Sequence, residues 1–180
     1  ASVGNYLICK YIRKYSDAKV VFNGDGSDEV AGGYLYFHYA PDSIEFDKEC
    51  RRLLKDIHLF DVLRSDRTIS CHGLEARTPF LDRGFVETYL SIPPYLRDHN
   101  STNTCEKYLI RSAFEKMNIL PKEVLWRRKE AFSDGVSKNT KSWFEVIQDF
   151  AEKKYKMDGK KAEQKYYDEI FRSHYGDDNY

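Results

Sequence analysis

The densest chemistry in this chain lies in Val20-Val21-Phe22-Asn23-Gly24-Asp25-Gly26-Ser27-Asp28-Glu29. Three apolar residues, two of them β-branched, run into a loop with two glycines. A serine and an acidic pair follow, residue types that suit a helix start. The order predicts a buried strand, a tight turn and a helix N-terminus. In open parallel α/β sheets, ligands sit at the carboxyl ends of strands, where this loop falls. Gly24 and Gly26 allow close backbone approach that a side chain would block. Free N–H groups there suit a phosphate or ribose oxygen. Asp25, Asp28 and Glu29 set three carboxylates beside that anion position. Carboxylates next to a phosphate make chemical sense with Mg²⁺ between them, or with one acting as a base. Ordinary turn chemistry with solvated acids fits the same stretch, and Asp28 also suits helix N-capping.

Four other residues carry candidate chemistry. Lys129 closes a triple cation, Arg127-Arg128-Lys129, which follows Trp126 and precedes Phe132 and Gly135. A triple cation is commonly a solvated face, but these neighbours tie it to packed structure. Glu75 and Arg77 alternate around Ala76, as an internal ion pair or as a substrate-orienting pair. Asp82 reads as a helix cap.

The elements that must hold these residues are mostly helical. An apolar stripe of Val3, Leu7, Tyr11 and Ile12 predicts a helix over 3–15. A strand at 19–23 follows, then a short helix from Asp28 to Ala31 that ends at Gly32-Gly33. The aromatic run Tyr34–Tyr39 reads as core packing. Ser43 is the expected cap of a long helix carrying Phe46, Cys50, Leu53, Leu54, Ile57 and Phe60 at helical spacing. Helix resumes over 63–71 and breaks at Gly73 and Pro79. Asp82 caps a helix to Leu90, and Pro93-Pro94 stops the chain there. Residues 98–104 read as a polar loop, with Thr104 capping 105–117. Pro121 opens a short helix to Trp126. Ser142-Trp143-Phe144-Glu145 is a capping box for a helix to Lys156, and 161–174 forms the last helix. With no repeat or low-complexity linker, one compact unit is expected over 1–175, and residues 176–180 should fray.

Composition narrows the function classes. The chain has 180 residues, 41% hydrophobic and 32% charged, with 14 Tyr and 11 Phe. That aromatic content opposes disorder. Lys+Arg and Asp+Glu balance at 29 each, so the global basic field of a nucleic-acid binder is missing. No apolar run approaches the roughly 18 residues of a membrane span, and no secretory signal pattern opens the chain. Cys9, Cys50, Cys71 and Cys105 are too scattered for a metal knuckle or redox pair. A reduced, cytoplasmic compartment is the simpler expectation.

Asn23-Gly24-Asp25-Gly26-Ser27-Asp28-Glu29 resembles the Ser-Gly-Glu-Gly-Ser-Asp-Glu segment of glutamine-hydrolysing asparagine synthetases. Two further segments agree in the same order. One is His72-Gly73-Leu74-Glu75-Ala76-Arg77-Thr78-Pro79-Phe80-Leu81-Asp82. The other is Trp126-Arg127-Arg128-Lys129-Glu130-Ala131-Phe132-Ser133-Asp134-Gly135. The resemblance runs from about Ser2 to about Tyr175. It implies an α/β fold of the adenine nucleotide α-hydrolase-like (PP-loop ATP pyrophosphatase) type. This chain would be a mostly helical C-terminal part of the synthetase domain, with one or two parallel strands.

The implied activity is an ATP-dependent amide ligase. The side-chain carboxylate of aspartate attacks the α-phosphate of ATP and expels pyrophosphate. Ammonia then attacks the β-aspartyl-AMP, giving asparagine and AMP. The resemblance implies ATP and Mg²⁺ as cofactors. It also implies ammonia supplied from glutamine by an N-terminal glutaminase domain, as in a glutamine amidotransferase, and it is compatible with a homodimer of the full-length protein. Two anions must meet, so cations must screen them; the ammonia step releases protons, so a base must be near. By the same resemblance Asn23, Gly24, Gly26 and Ser27 contact the nucleotide and Asp28 is a Mg²⁺ ligand. Lys129 neutralises charge in adenylation, and Glu75 and Arg77 orient substrate. Asp25 falls at the family's glutamate, associated with forming and using the acyl-adenylate. Here it is one methylene shorter, and Asn23 replaces serine.

The family's Ser-Gly-Gly-x-Asp-Ser pyrophosphate loop and its amino-terminal cysteine nucleophile are not in these residues. Cys9 lies in a helical stripe and is no substitute. The chain therefore reads as part of a longer protein, carrying half of a synthetase site and little activity alone. A related adenylating ligase of the β-lactam synthetase type, and a non-catalytic helical interaction module, are the competing readings.

Overall fold

The computed structural model describes residues 2–130, 132–135 and 141–176. By its internal contacts the chain forms two units, Ala1–Lys129 and Glu130–Tyr180, in place of the single one expected.

In the first unit, helix α1 (Ser2–Tyr15) leads to strand β1 (Val20–Phe22) and the short helix α2 (Ser27–Ala31). Helices α3 (Ser43–Asp56) and α4 (Asp61–Ser70) follow, then strand β2 (Glu75–Arg77). β1 and β2 pair in parallel, with Val20, Val21 and Phe22 opposite Glu75, Ala76 and Arg77. The ladder extends one step beyond β1, where Asn23 N donates to the Arg77 carbonyl at 2.8 Å. Successive strand residues face opposite sides, so Val21 and Ala76 share one face. There they join Cys9 and Ile12 of α1, Ile69 of α4 and Leu74 in one apolar cluster.

A second cluster, Phe37, Phe46, Cys50 and Leu53, forms where the aromatic run after α2 folds onto α3. Phe37 is buried as expected of that run, but Leu35, Tyr36 and Tyr39 are exposed. A third cluster packs Val30 and Ala31 of α2 against Tyr89 of α5 (Arg83–Ser91). The unit closes with α6 (Pro94–Arg97), α7 (Tyr108–Met117) and α8 (Lys122–Leu125).

Several boundaries differ from the pattern reading. Asp42, not Ser43, caps α3: its carboxylate accepts from the N–H groups of Ile44 and Glu45 at 2.8 and 2.9 Å. Helix α5 does stop at Ser91, just before Pro93-Pro94, but Pro94 also starts α6, since a first helical residue needs no N–H. The stretch 98–104 is not simply a polar loop, because Asp98 and His99 are almost fully buried. Asp98 accepts there from Asn100 N and Ser101 Oγ. Helix α7 starts later than Thr104, after Lys107 in the left-handed region (φ 60°).

The second unit comprises α9 (Phe132–Gly135), α10 (Trp143–Tyr155) and α11 (Gly159–Tyr175). The Ser142–Glu145 capping box forms as expected. Helices α10 and α11 pack on each other around Ala151 and Ala162. The tail expected to fray lies, beyond Gly176, outside the described residues. Among the described residues no helix is long and apolar enough to cross a membrane.

Candidate active site

The loop between β1 and α2 starts at the strand's carboxyl end and divides its acids between two neighbourhoods. Asn23 and Asp25 hold each other. The Asn23 amide donates to the Asp25 carboxylate at 2.9 Å, and the Asp25 backbone N–H donates to Asn23 Oδ1 at 3.0 Å. Asp25 then lies toward α4. Burial pushes its carboxyl up and Asp61 adds to the push, while the Ser65 hydroxyl, Arg64 and Asn23 oppose it.

Asp28, in the first turn of α2, points elsewhere. Lys107 Nζ lies 2.7 Å from one of its oxygens and Lys129 Nζ 2.7 Å from the other. Burial works against its charged form, but Lys107 and then Lys129 outweigh it and hold the carboxyl below its ordinary range. Of the triple cation, Arg127 and Arg128 are exposed and Lys129 is half-buried. Lys107 also donates to Ser27 Oγ at 3.1 Å, so this serine, expected at the nucleotide, holds a lysine in place.

Between the two neighbourhoods stands Tyr34. Its hydroxyl reaches Glu29 Oε1 at 2.5 Å and Asp61 Oδ2 at 3.0 Å. Arg64 pairs with the other Asp61 oxygen at 2.8 Å. Burial, followed by Glu29, pushes the Tyr34 hydroxyl up, so it stays protonated and donates. One hydroxyl proton serves one acceptor at a time. Burial pushes the Glu29 carboxyl up as well, and the Tyr34 hydroxyl opposes it.

The glycines have separate reasons. Gly26 has φ 89°, and a Cβ there would overlap the Leu81 side chain. Its need for glycine is thus packing and backbone shape. A Cβ on Gly24 would meet nothing within 4 Å, so this backbone is open to a ligand. A Cβ on Gly33 would overlap Asp28 and Lys107, so Gly33 makes room for that ion pair.

Glu75 and Arg77 pair with each other on the exposed side of β2. Among the described residues neither is hydrogen-bonded or ion-paired to Asp25, Asp28 or Lys129. Asp82 caps α5, accepting from Phe85 N at 3.1 Å. The pattern reading missed Lys107, Tyr34 and Asp61. The available signal for Tyr34 was its place directly after Gly32-Gly33; Lys107 and Asp61 carried none.

The donors near Asp28 suit anions better than a metal. One carboxylate faces two ammonium groups, which leaves one unit of positive charge uncompensated. Both Asp28 oxygens already meet a cation, and those cations repel another at the same carboxylate. Among the described residues no group of three His, Cys, Asp or Glu side chains is placed to hold a metal. The Mg²⁺ ligand expected at Asp28 does not fit this arrangement.

Comparison with known proteins gives the same family that the three motifs resemble. A family profile described as asparagine synthase matches residues 1–45 and 41–180. The glutamine-hydrolyzing asparagine synthetase of Gallus gallus is 50% identical over 188 aligned positions, covering 97% of this chain and 33% of that protein. Those of Mus musculus and Homo sapiens are 50% and 47% identical over the same shares. The chain thus spans about a third of the length of the curated relatives it matches. Matched along nearly its whole length, it belongs to the asparagine synthase family.

Proposed function

We propose that this chain is the C-terminal part of the synthetase domain of a cytoplasmic, ATP-dependent ligase that forms asparagine from aspartate. Its two strands would belong to the larger parallel sheet of an adenine nucleotide α-hydrolase-like fold. Ammonia would come from glutamine, hydrolysed by a domain outside this chain. The observation that carries the reading is the convergence of Lys107 and Lys129 on Asp28, each 2.7 Å from one oxygen. It brings two ammonium groups to a strand-end loop, where two anions have to meet.

The residues divide the work. Lys129 and Lys107 offset negative charge as the aspartate carboxylate approaches the α-phosphate and pyrophosphate leaves. Asp28 aims both ammonium groups. The open backbone at Gly24 and the loop through Gly26 take the nucleotide. Asp25, with its carboxyl pushed up by burial, is the base for the proton released when ammonia attacks the β-aspartyl-AMP. Asn23 is engaged with Asp25, so its part is to orient the base, with nucleotide contact secondary. Magnesium would supply charge neutralisation on the triphosphate in this chemistry, and Asp28, engaged by two ammonium groups, would not be its ligand.

The test is release of asparagine and pyrophosphate by the full-length protein at saturating ammonia. Lys129→Ala should lower it by about 10²–10³-fold, the size of losing one transition-state charge contact. Asp25→Asn should lower it by about 10²–10⁴-fold. Parent rates from both folded variants would remove the roles given to Lys129 and Asp25; a parent protein that releases no asparagine would remove the ligase reading and leave the interaction module.

A further inference from the structure

Lys129 reaches the site from irregular backbone. Residues 127–130 lie outside any helix or strand, and a lysine side chain keeps its ammonium in place only through what it touches. One contact is Asp28. Another, among the described residues, is the face of Tyr34, whose ring centroid lies 5.6 Å from Lys129 Nζ. We propose that Tyr34 is a positioning residue for Lys129. This deepens, and rests on, the ligase reading of the site.

The ring is held from two sides. It packs against the Phe37, Phe46, Cys50 and Leu53 cluster. The hydroxyl is tied to Glu29 of α2 and Asp61 of α4. Glu29 is only 1% exposed, so it cannot swing to follow a moving ring. The Gly32-Gly33 turn sets the approach. Gly32 is left-handed (φ 60°) and abuts Phe46, while Gly33 abuts Asp28 and Lys107. Tyr34 leaves this turn with its body in the core and one face toward the Lys129 ammonium. A residue that served packing alone would need no hydroxyl. Here the hydroxyl joins two helices and thereby fixes the surface on which the cation rests. The attraction of an ammonium for a ring face grows as water is excluded, and Lys129 is 19% exposed.

The experiment reads Lys129 without requiring turnover. Lysine reactivity is measured in the full-length protein by reductive methylation with formaldehyde, resolved by peptide mass spectrometry. Lys107 is the internal reference, since it pairs with the same carboxylate and is not on the ring. Tyr34→Leu should raise the Lys129 rate by roughly three- to tenfold, the size of a partly desolvated cation–π contact, with Lys107 unchanged. Tyr34→Phe keeps the ring and loses the tether, and should give a smaller rise confined to Lys129. An unchanged Lys129 rate in either folded variant overturns the proposal. So does an equal rise at Lys107, which would make Tyr34 a general packing residue.

A second arm uses kinetics. Tyr34→Leu should lower kcat with KM for ATP nearly unchanged, and should have no further effect in a Lys129→Ala background. Independent, multiplying losses overturn the positioning role. A parent protein that makes no asparagine would refute the ligase reading alone, because the methylation rates still decide the part played by Tyr34.

Discussion

Asn23 and Asp25 depart from the family pattern together, and in the fold they touch. The longer amide at 23 reaches the shorter carboxylate at 25, and the backbone N–H of 25 returns the bond. A serine at 23 has a shorter stem and a single hydroxyl donor. The two changes therefore read as one compensated pair, which makes a prediction about swapping them. Asn23→Ser alone should lower asparagine release by roughly tenfold, about the 1.5 kcal/mol of a hydrogen bond to a charged group. Asp25→Glu alone should also lose activity, because the amide then meets a displaced carboxylate. The double variant should recover most of the parent rate. A double variant whose loss is the product of the two singles would show that the pair is not coupled. At this scale legibility followed the motifs. Asp28 and Lys129 stood out because each lies in a contiguous matching segment. Lys107 looked like any lysine beside a polar loop, and only the return of the chain 80 residues later brings it to Ser27. Tyr34 read as core, and it does pack against the Phe37 cluster; the hydroxyl's use depends on Asp61, 27 positions away.

Helices were easier to read than strands for a reason that lies in the elements themselves. Amphipathic stripes and caps are local, so α1, α3, α5 and the Ser142 box follow from short patterns. Strand β2 is Glu-Ala-Arg, with no apolar run; its ladder to β1, not its side chains, makes it a strand. The start of α3 moved by one residue because Asp42 is the better placed acceptor. The same helix carries a cross-link that no local pattern reveals. Asp47 pairs with Arg51 in its own helix at 2.8 Å and with Arg97 at the end of α6. The Arg97 side chain is fully buried and donates to the Ile92 carbonyl at 2.9 Å. Burial opposes the charged Asp47, but Arg51 and Arg97 prevail and hold its carboxyl below the ordinary range. The sign follows. A depressed carboxyl stabilises fully above its unfolded value, about 3.9, and the gain is lost as pH falls through the folded value. Asp47→Asn should cost about 3 kcal/mol at pH 7, because it leaves a buried guanidinium without its counter-charge. Hydrogen-exchange protection of the α3 and α6 amides measures it. The gap between parent and variant should narrow below about pH 4; an equal gap at pH 3 would mean that charge is not its source.

For the whole molecule, the arrangement of charge sets what these residues can bind on their own. The site offers two ammonium groups, and Asp28 already engages both. Asp25, Glu29 and Asp61 stand nearby as further acidic side chains. A triphosphate brings several negative charges to this mixed neighbourhood, and one net positive charge does not offset them. The apolar side is similarly partial. Parallel sheets are normally covered on both faces, yet Phe22 of β1 is 82% exposed on the face opposite Val21. An adenine ring would therefore find little enclosure at this strand end. The relatives are about three times as long as this chain, and on the proposed reading the phosphate donors and a second wall lie in polypeptide outside it. The expected outcome is that the 180-residue chain alone binds ATP weakly in calorimetry with Mg²⁺ present, and that the full-length protein binds it much more tightly. Lys129→Ala should then weaken the full-length protein less than truncation does, since it removes one cation and truncation removes a wall. A micromolar dissociation constant for the isolated chain, about −8 kcal/mol, would mean that Lys107, Lys129 and the Asn23–Ser27 loop suffice for the nucleotide. The half-site account would then fall.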